Sequence, residues 1–287
     1  MIPRSFDYHA PTSMPDALSL LARYGDEAKL LAGGHSLLPM MKLRFAAPAH
    51  LIDIGRIAEL KGIAQVGNEI RIGAMTSENE LIWSELLAEK LPLLVEGAGL
   101  ISDPQVRYRG TIGGDICHGD PGNDHPALMM ALEASFLLRG PKGERVVPAD
   151  GYFVGLYQTL LSPGEILTQI RIPVPAAGTG WSYSKLKRKT GDFAAAAAAV
   201  MLRMKGGKVE HVRIGLTNLA ATPLRARAAE QSLLGKPLDE AALSEAARLA
   251  MSICAPVDDQ RGDAQYKTAM AGEMTRRALR TALSRAG

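Results

Sequence analysis

Two double-glycine turns, residues 32–36 (AGGHS) and 111–115 (TIGGD), constrain this chain more than any other feature. The first lies in residues 29–38 (KLLAGGHSLL), where Leu30, Leu31 and Leu37 flank Ala32, Gly33, Gly34, His35 and Ser36. Consecutive glycines reach positive φ without strain and leave the backbone open to close approach. Successive N–H groups can then converge on an anion such as a diphosphate, and Ser36 adds a hydroxyl donor. A plain strand-to-loop turn would read the same way. The second turn sits in residues 109–124 (RGTIGGDICHGDPGND), where Thr111 and Ile112 precede Gly113, Gly114 and Asp115. Two such turns suit a dinucleotide whose diphosphate is clamped from two sides. On spacing alone, the plain-turn reading stays open.

The totals narrow the partners. With 287 residues, the chain has room for two domains or one subdivided one. There are 33 basic and 30 acidic residues, a net charge of +3, and aromatics are only 5%. Neither a strong electrostatic field nor a base-stacking surface results, so no nucleic-acid partner is expected. The two cysteines, Cys117 and Cys254, are too few for an iron–sulfur cluster, which takes four ligands. They also argue against a disulfide framework and for a reducing compartment. The opening MIPRSFDYHA lacks the charged-then-apolar pattern of a secretory signal, and the apolar run 193–202 is too short to span a bilayer. A cytoplasmic location is expected.

Caps and periodicity define the elements. Ser13, Pro15 and Gly25 bracket a helix over 13–24. Short strands are expected at 29–31, 51–54 and 69–72. Ser77 and Glu80 form a capping-box pattern opening a helix to about Leu87, with further helices near 92–100 and 127–133. SFLLRG and RVVPAD read as strands about a Pro-Lys-Gly turn, and 166–172 as a strand ended by Pro173. PVPAAGTG is the clearest linker, which places a boundary near residue 177. Beyond it, 181–187 reads as a strand, and 193–204 with 209–216 as a hairpin about KGGK. Six alanines (194–199) favour helix by propensity. The run into Val200, Met201 and Leu202 and a Gly-Gly turn argues for strand instead. Residues 239–251 and 264–284 are helical in composition. The fold class is α+β.

Other signals are weaker. GAGLIS (97–102) begins like a nicotinamide fingerprint but lacks its third glycine, and Asp103-Pro104 interrupts the helix that should hold the pyrophosphate. Asp115, Asp120 and Asp124 lack the alternation of a calcium loop. Beside a diphosphate they would be repelled, so they are expected to address ribityl or ribose hydroxyls, with Asp120 readable as a turn residue. The six histidines show no metal spacing. His118 and His125 read as surface or turn residues, and KLKRK (185–189) as a strand with one solvated face.

AGGHSLLP, TIGGD, GDPGNDHPAL, PGEILTQIRIPVP and KLKRKTGDFAAAAAAV resemble the FAD-binding medium subunits of aerobic, molybdenum-containing carbon monoxide dehydrogenases. These belong to the xanthine dehydrogenase family of molybdenum hydroxylases, and the resemblance runs essentially the whole chain. It implies a two-subdomain FAD-binding domain of the PCMH/vanillyl-alcohol-oxidase-like type over 1–177, split near 56. A small C-terminal domain of sheet plus helices then fills 178–287. The resemblance places pyrophosphate contacts on Ala32 to Ser36 and Thr111 to Asp115, and an acidic contact on Asp124. Apolar flavin neighbours fall on Ile101 and Leu161, a lysine contact on Lys185, and an aromatic beside the isoalloxazine on Phe193. Many relatives carry Asn at the position of Asp115, so a backbone role is expected there in preference to a side-chain role, and Ile116-Cys117-His118 replaces a small-residue stretch.

The implied activity is oxidation of CO with water to CO2 at a molybdenum–copper centre on a large subunit. Electrons would pass through two [2Fe–2S] clusters on a small subunit to FAD here, then to a quinone-type acceptor. The implied assembly is a dimer of heterotrimers, in the cytoplasm or peripheral to the inner membrane through its partners. The rival readings are the flavin subunit of a molybdenum hydroxylase acting on a purine or N-heterocycle, and a scaffold without FAD. No residue of this chain is expected to do acid–base chemistry on substrate.

Overall fold

The computed structural model describes residues 2–287. It opens with β1 (Asp7–His9), α1 (Met14–Tyr24), β2 (Ala28–Leu31), α2 (Leu37–Lys42) and β3 (His50–Asp53). The three strands form a parallel sheet in the order β1-β3-β2. The Ser13 hydroxyl accepts the Asp16 N–H, Pro15 sits in the first turn of α1, and Gly25 ends it at φ +51°. Those expected caps are all present. β1 and α2 were not anticipated, since three and six residues are too short to show a period.

The second layer comprises β4 (Ile63–Val66), β5 (Glu69–Gly73), α3 (Glu78–Trp83), α4 (Glu85–Lys90), α5 (Pro92–Leu100), α6 (Pro104–Arg109), α7 (Ile112–His118) and α8 (His125–Ala131). It is completed by β6 (Ser135–Gly140), β7 (Gly143–Pro148), β8 (Phe153–Gly155), β9 (Gln158–Thr159) and β10 (Ile166–Pro173). An antiparallel sheet, β4-β5-β10-β6-β7, carries one large core against the helices. The capping box is formed: Ser77 N–H donates to Glu80 Oε2 at 2.7 Å, and Glu80 N–H to Ser77 Oγ at 3.3 Å. The helix it opens stops at Trp83, short of the expected Leu87. Ser84 leaves helical geometry (ψ 111°) and its hydroxyl caps α4 through the Leu87 N–H. Asp103 likewise caps α6 by accepting the Val106 N–H.

The last layer is β11 (Thr179–Leu186), β12 (Ala196–Lys205), β13 (Lys208–Thr217), β14 (Leu224–Arg225), α9 (Arg227–Leu233), α10 (Glu240–Ser252) and α11 (Ala264–Arg285). Its antiparallel sheet runs β11-β12-β13-β14. The alanine run is strand, as expected, and the reason is visible in its two faces. Ala197, Ala199 and Met201 enter the core of the middle layer, while Ala196, Ala198, Val200 and Leu202 face the C-terminal helices. A strand buried on both sides reads as an unbroken apolar run. Small side chains let backbones approach: a Cβ at Gly180 would overlap Ala282 O, and one at Gly215 would overlap Ala127 O. No helix among the described residues is long and apolar enough to cross a membrane.

Candidate functional site

The three layers enclose a cavity of about 630 Å³. Both glycine turns open into it, along with Ile101, Asp124, Leu161, Lys185 and Phe193. Leu30, Ala32, Gly33, Gly34, His35, Ser36, Leu37, Thr111, Gly113, Gly114 and Asp115 also line its wall. Leu31 and Ile112 do not; Ile112 is fully buried in the middle core. The two turns lie far apart in the chain, and packing presses them together. A Cβ at Gly33 would lie 2.3 Å from Arg109 O, and one at Gly114 would lie 3.5 Å from Ala32 Cβ.

The two turns differ in what they offer. In the first, Gly34 takes positive φ (+81°), and the N–H groups of Gly33, Gly34, His35 and Ser36 meet no protein acceptor among the described residues. That run of free donors suits an anion. The second is not a loop turn: Thr111 caps α7, and Gly113 and Gly114 lie within its first turn. The N–H groups of Ile112, Gly113 and Gly114 go to Thr76 O, Ala74 O and Thr111 Oγ1. Its glycines therefore serve approach, since a Cβ at Gly113 would sit 2.6 Å from Ala74 O. A two-sided nest of backbone donors is replaced by one nest facing a tightly packed helix start.

Buried charge is built into the wall. Glu78 and His125 pair at 2.8 Å with side chains 3% and 0% exposed. His125 is thus a core residue, contrary to its surface-or-turn reading. Lys185 pairs with Asp124 at 2.6 Å, also sealed from solvent, and donates to Leu100 O. Tyr183 donates to the other Asp124 oxygen at 2.5 Å and meets Thr217 at 3.3 Å. Lys185 therefore points inward from the end of β11, while Arg188 and Lys189 of the same basic run are exposed. Asp120 has the turn role, accepting the Gly122 N–H. His118 lines the cavity, its ring 5.0 Å from that of Tyr157.

Burial tunes these groups. It drives the Asp115 acid up to about 8, with Glu78, Asp124 and Asp120 adding to the shift against His125. Burial alone would pull His125 down; Glu78 overrides it and lifts the imidazole to about 9. At neutral pH Asp115 is then largely an uncharged acid and His125 a cation. Asp115 Oδ2 is buried without a partner, as is His125 Nδ1. A neutral acid does not repel a diphosphate and can donate to it, which removes the difficulty that spacing alone raised. Burial also pushes the Cys117 thiol up to about 12, leaving it unreactive at the cavity wall. Buried ion pairs seldom stabilise a fold over apolar packing. Two of them beside a cavity point to a site.

A free-donor nest, a neutral acid and an apolar flank of Ile101, Leu161 and Phe193 fit a dinucleotide with a flat ring system. The family model for the FAD-binding domain in molybdopterin dehydrogenase matches residues 4–175, and that for the CO dehydrogenase flavoprotein C-terminal domain matches 181–282. The chain belongs to this flavoprotein family. It carries the family's FAD-binding domain, and the resemblance read from the glycine turns is borne out. It is 60% identical to the carbon monoxide dehydrogenase medium chain of Hydrogenophaga pseudoflava, over 99% of each chain. It is 55% identical to the one from Afipia carboxidovorans, over 100% of this chain and 99% of the other. The solved carbon monoxide dehydrogenase structure from H. pseudoflava superposes with a TM-score of 0.99 at 62% identity, covering all of both chains.

Sequence reasoning missed Glu78, His125 and Tyr183 because each joins the site through a partner far along the chain. The capping box singled out Ser77 and Glu80, but nothing in it marked the buried neighbour between them.

Proposed function

We infer that this chain is the FAD-carrying subunit of a carbon monoxide dehydrogenase. The observation that carries the reading is the run of free N–H groups from Gly33 to Ser36, opening into the cavity where both turns meet. The end-to-end likeness to two medium chains supports CO as the substrate oxidised. FAD, when bound, supplies reversible two-electron storage with one-electron exchange.

This chain's own residues bind and orient. The Gly33–Ser36 N–H groups hold the diphosphate, and Asp115, as an uncharged acid, donates to it much as the Asn of many relatives would. Asp124 and Lys185, fixed to each other, with Tyr183 also holding Asp124, address hydroxyls and carbonyls of the cofactor. Ile101, Leu161 and Phe193 exclude water from the flat ring. The two cysteines leave [2Fe–2S] clusters to a small subunit and the molybdenum–copper centre to a large one, in a dimer of heterotrimers. A quinone-type acceptor takes the electrons, and the assembly works in the cytoplasm, at most peripherally at the inner membrane.

Purified complex should release one FAD per copy of this chain, and anaerobic CO should bleach its flavin absorbance. A complex without flavin would make the chain a scaffold. Flavin reduced by an N-heterocycle and untouched by CO would make it a subunit of a different molybdenum hydroxylase.

A further inference from the structure

Phe193 is an exposed aromatic at a cavity wall, 41% accessible, at the end of the loop between β11 and β12. A side chain so placed keeps one orientation only if something outside the cavity holds it. That something comes from the loop between α10 and α11. The guanidinium carbon of Arg261 lies 5.2 Å from the centroid of the Phe193 ring, within cation–π range. Arg261 Nε donates to Asp192 Oδ1 at 3.2 Å, so it grips the residue next to the ring as well as the ring itself.

The grip continues on both sides. Arg188 Nε donates to Asp192 Oδ2 at 2.8 Å, and its Nη1 to Gln260 O at 2.9 Å, crossing between the same two loops a second time. Asp259, 3.5 Å from Arg261 Nη1, is paired at 2.8 Å with Lys267, whose side chain is 1% exposed on α11. Lys267 also donates to Val257 O. A chain of five charges thus runs from the C-terminal helix to the ring, and of the five only Asp192 lines the cavity.

We propose that Arg261 is a positioning residue for the flavin site, fixing Phe193 against the cavity and tying that wall to the C-terminal helices. The proposal rests on the FAD reading of the site. Surface ion pairs contribute little to stability individually, so the chain's two crossings are better understood as fixing geometry. A planar guanidinium against the ring also draws on its electron cloud from the side away from the ligand.

The test uses the assembled, FAD-containing complex. Arg261→Ala is expected to change the visible circular dichroism of the flavin and to speed FAD release at least fivefold. Phe193→Leu should do likewise, and the double variant should be no worse than the stronger single one, because both act through one ring. Arg261→Gln keeps a donor toward Asp192 but removes the cation, and should reproduce the dichroism change if the alanine variant does not assemble. Wild-type dichroism and release in whichever of these variants assembles would overturn the proposal, as would full additivity with Phe193→Leu. A wild-type complex lacking FAD would instead sink the functional reading itself.

Discussion

At the scale of single residues, the site depends on protons and on missing side chains. Asp115 binds its proton more tightly folded (about 8) than unfolded, where an aspartate sits near 3.8. Its contribution to stability is therefore full below about pH 4 and is lost as pH rises through 8. FAD retention should fall over the upper part of that window, and Asp115→Asn should flatten the profile while keeping affinity. An equilibrium-dialysis series from pH 6 to 9 on both proteins checks this; a profile equally steep in Asp115→Asn rules it out. Gly33→Ala forces a Cβ into Arg109 O, and overpacking of this kind costs about 1–3 kcal/mol. It should lower the melting temperature and release flavin. Breaking the buried pair with Glu78→Ala should cost about 3–5 kcal/mol, because it removes the group that keeps the buried imidazole charged and leaves its Nε2 without that hydrogen bond.

At the scale of elements, legibility tracks length and local chemistry. The helix over 13–24 is readable because its cap and proline lie within it and the glycine that ends it follows directly. The strand at 196–205 is readable against its own alanine propensity because the alanines lead into Val200, Met201, Leu202 and a Gly-Gly turn. α7 is not readable, because two glycines in a first turn look like a loop until Ala74 is seen pressing on them. The strand Ile63–Val66 carries three exposed residues out of four, so it has no apolar period to detect. The double-sided burial of β12 has a measurable price in tolerance. Ala198→Leu should destabilise by about 1–3 kcal/mol, read as a lower urea midpoint with unchanged slope.

At the scale of the whole molecule, the covalent boundary and the packing boundary do not coincide. Tyr183, Ala197, Ala199 and Met201 belong by sequence to the C-terminal part, yet they fill the core of the middle layer. The candidate site is legible in the sequence as a pair of turns and a handful of contacts implied by resemblance. Its buried ion pairs are not, because their partners stand 47 and 61 positions apart. A fragment of residues 1–177 would expose the face those side chains cover. It should bind a hydrophobic dye and lack a cooperative melt, whereas the full chain should unfold in one transition. A fragment that melts cooperatively at the full chain's temperature would refute the shared core.

The contact of Gly33 with the backbone of Arg109 and Gly110 also sets an order in time. During synthesis both glycine turns leave the ribosome well before Lys185 and Phe193 exist. The nascent chain can thus bring the two glycine turns together early, but the rest of the cavity wall arrives only when residues 185–193 have been made. The cavity is then closed only once Lys185 and Phe193 have emerged and packed.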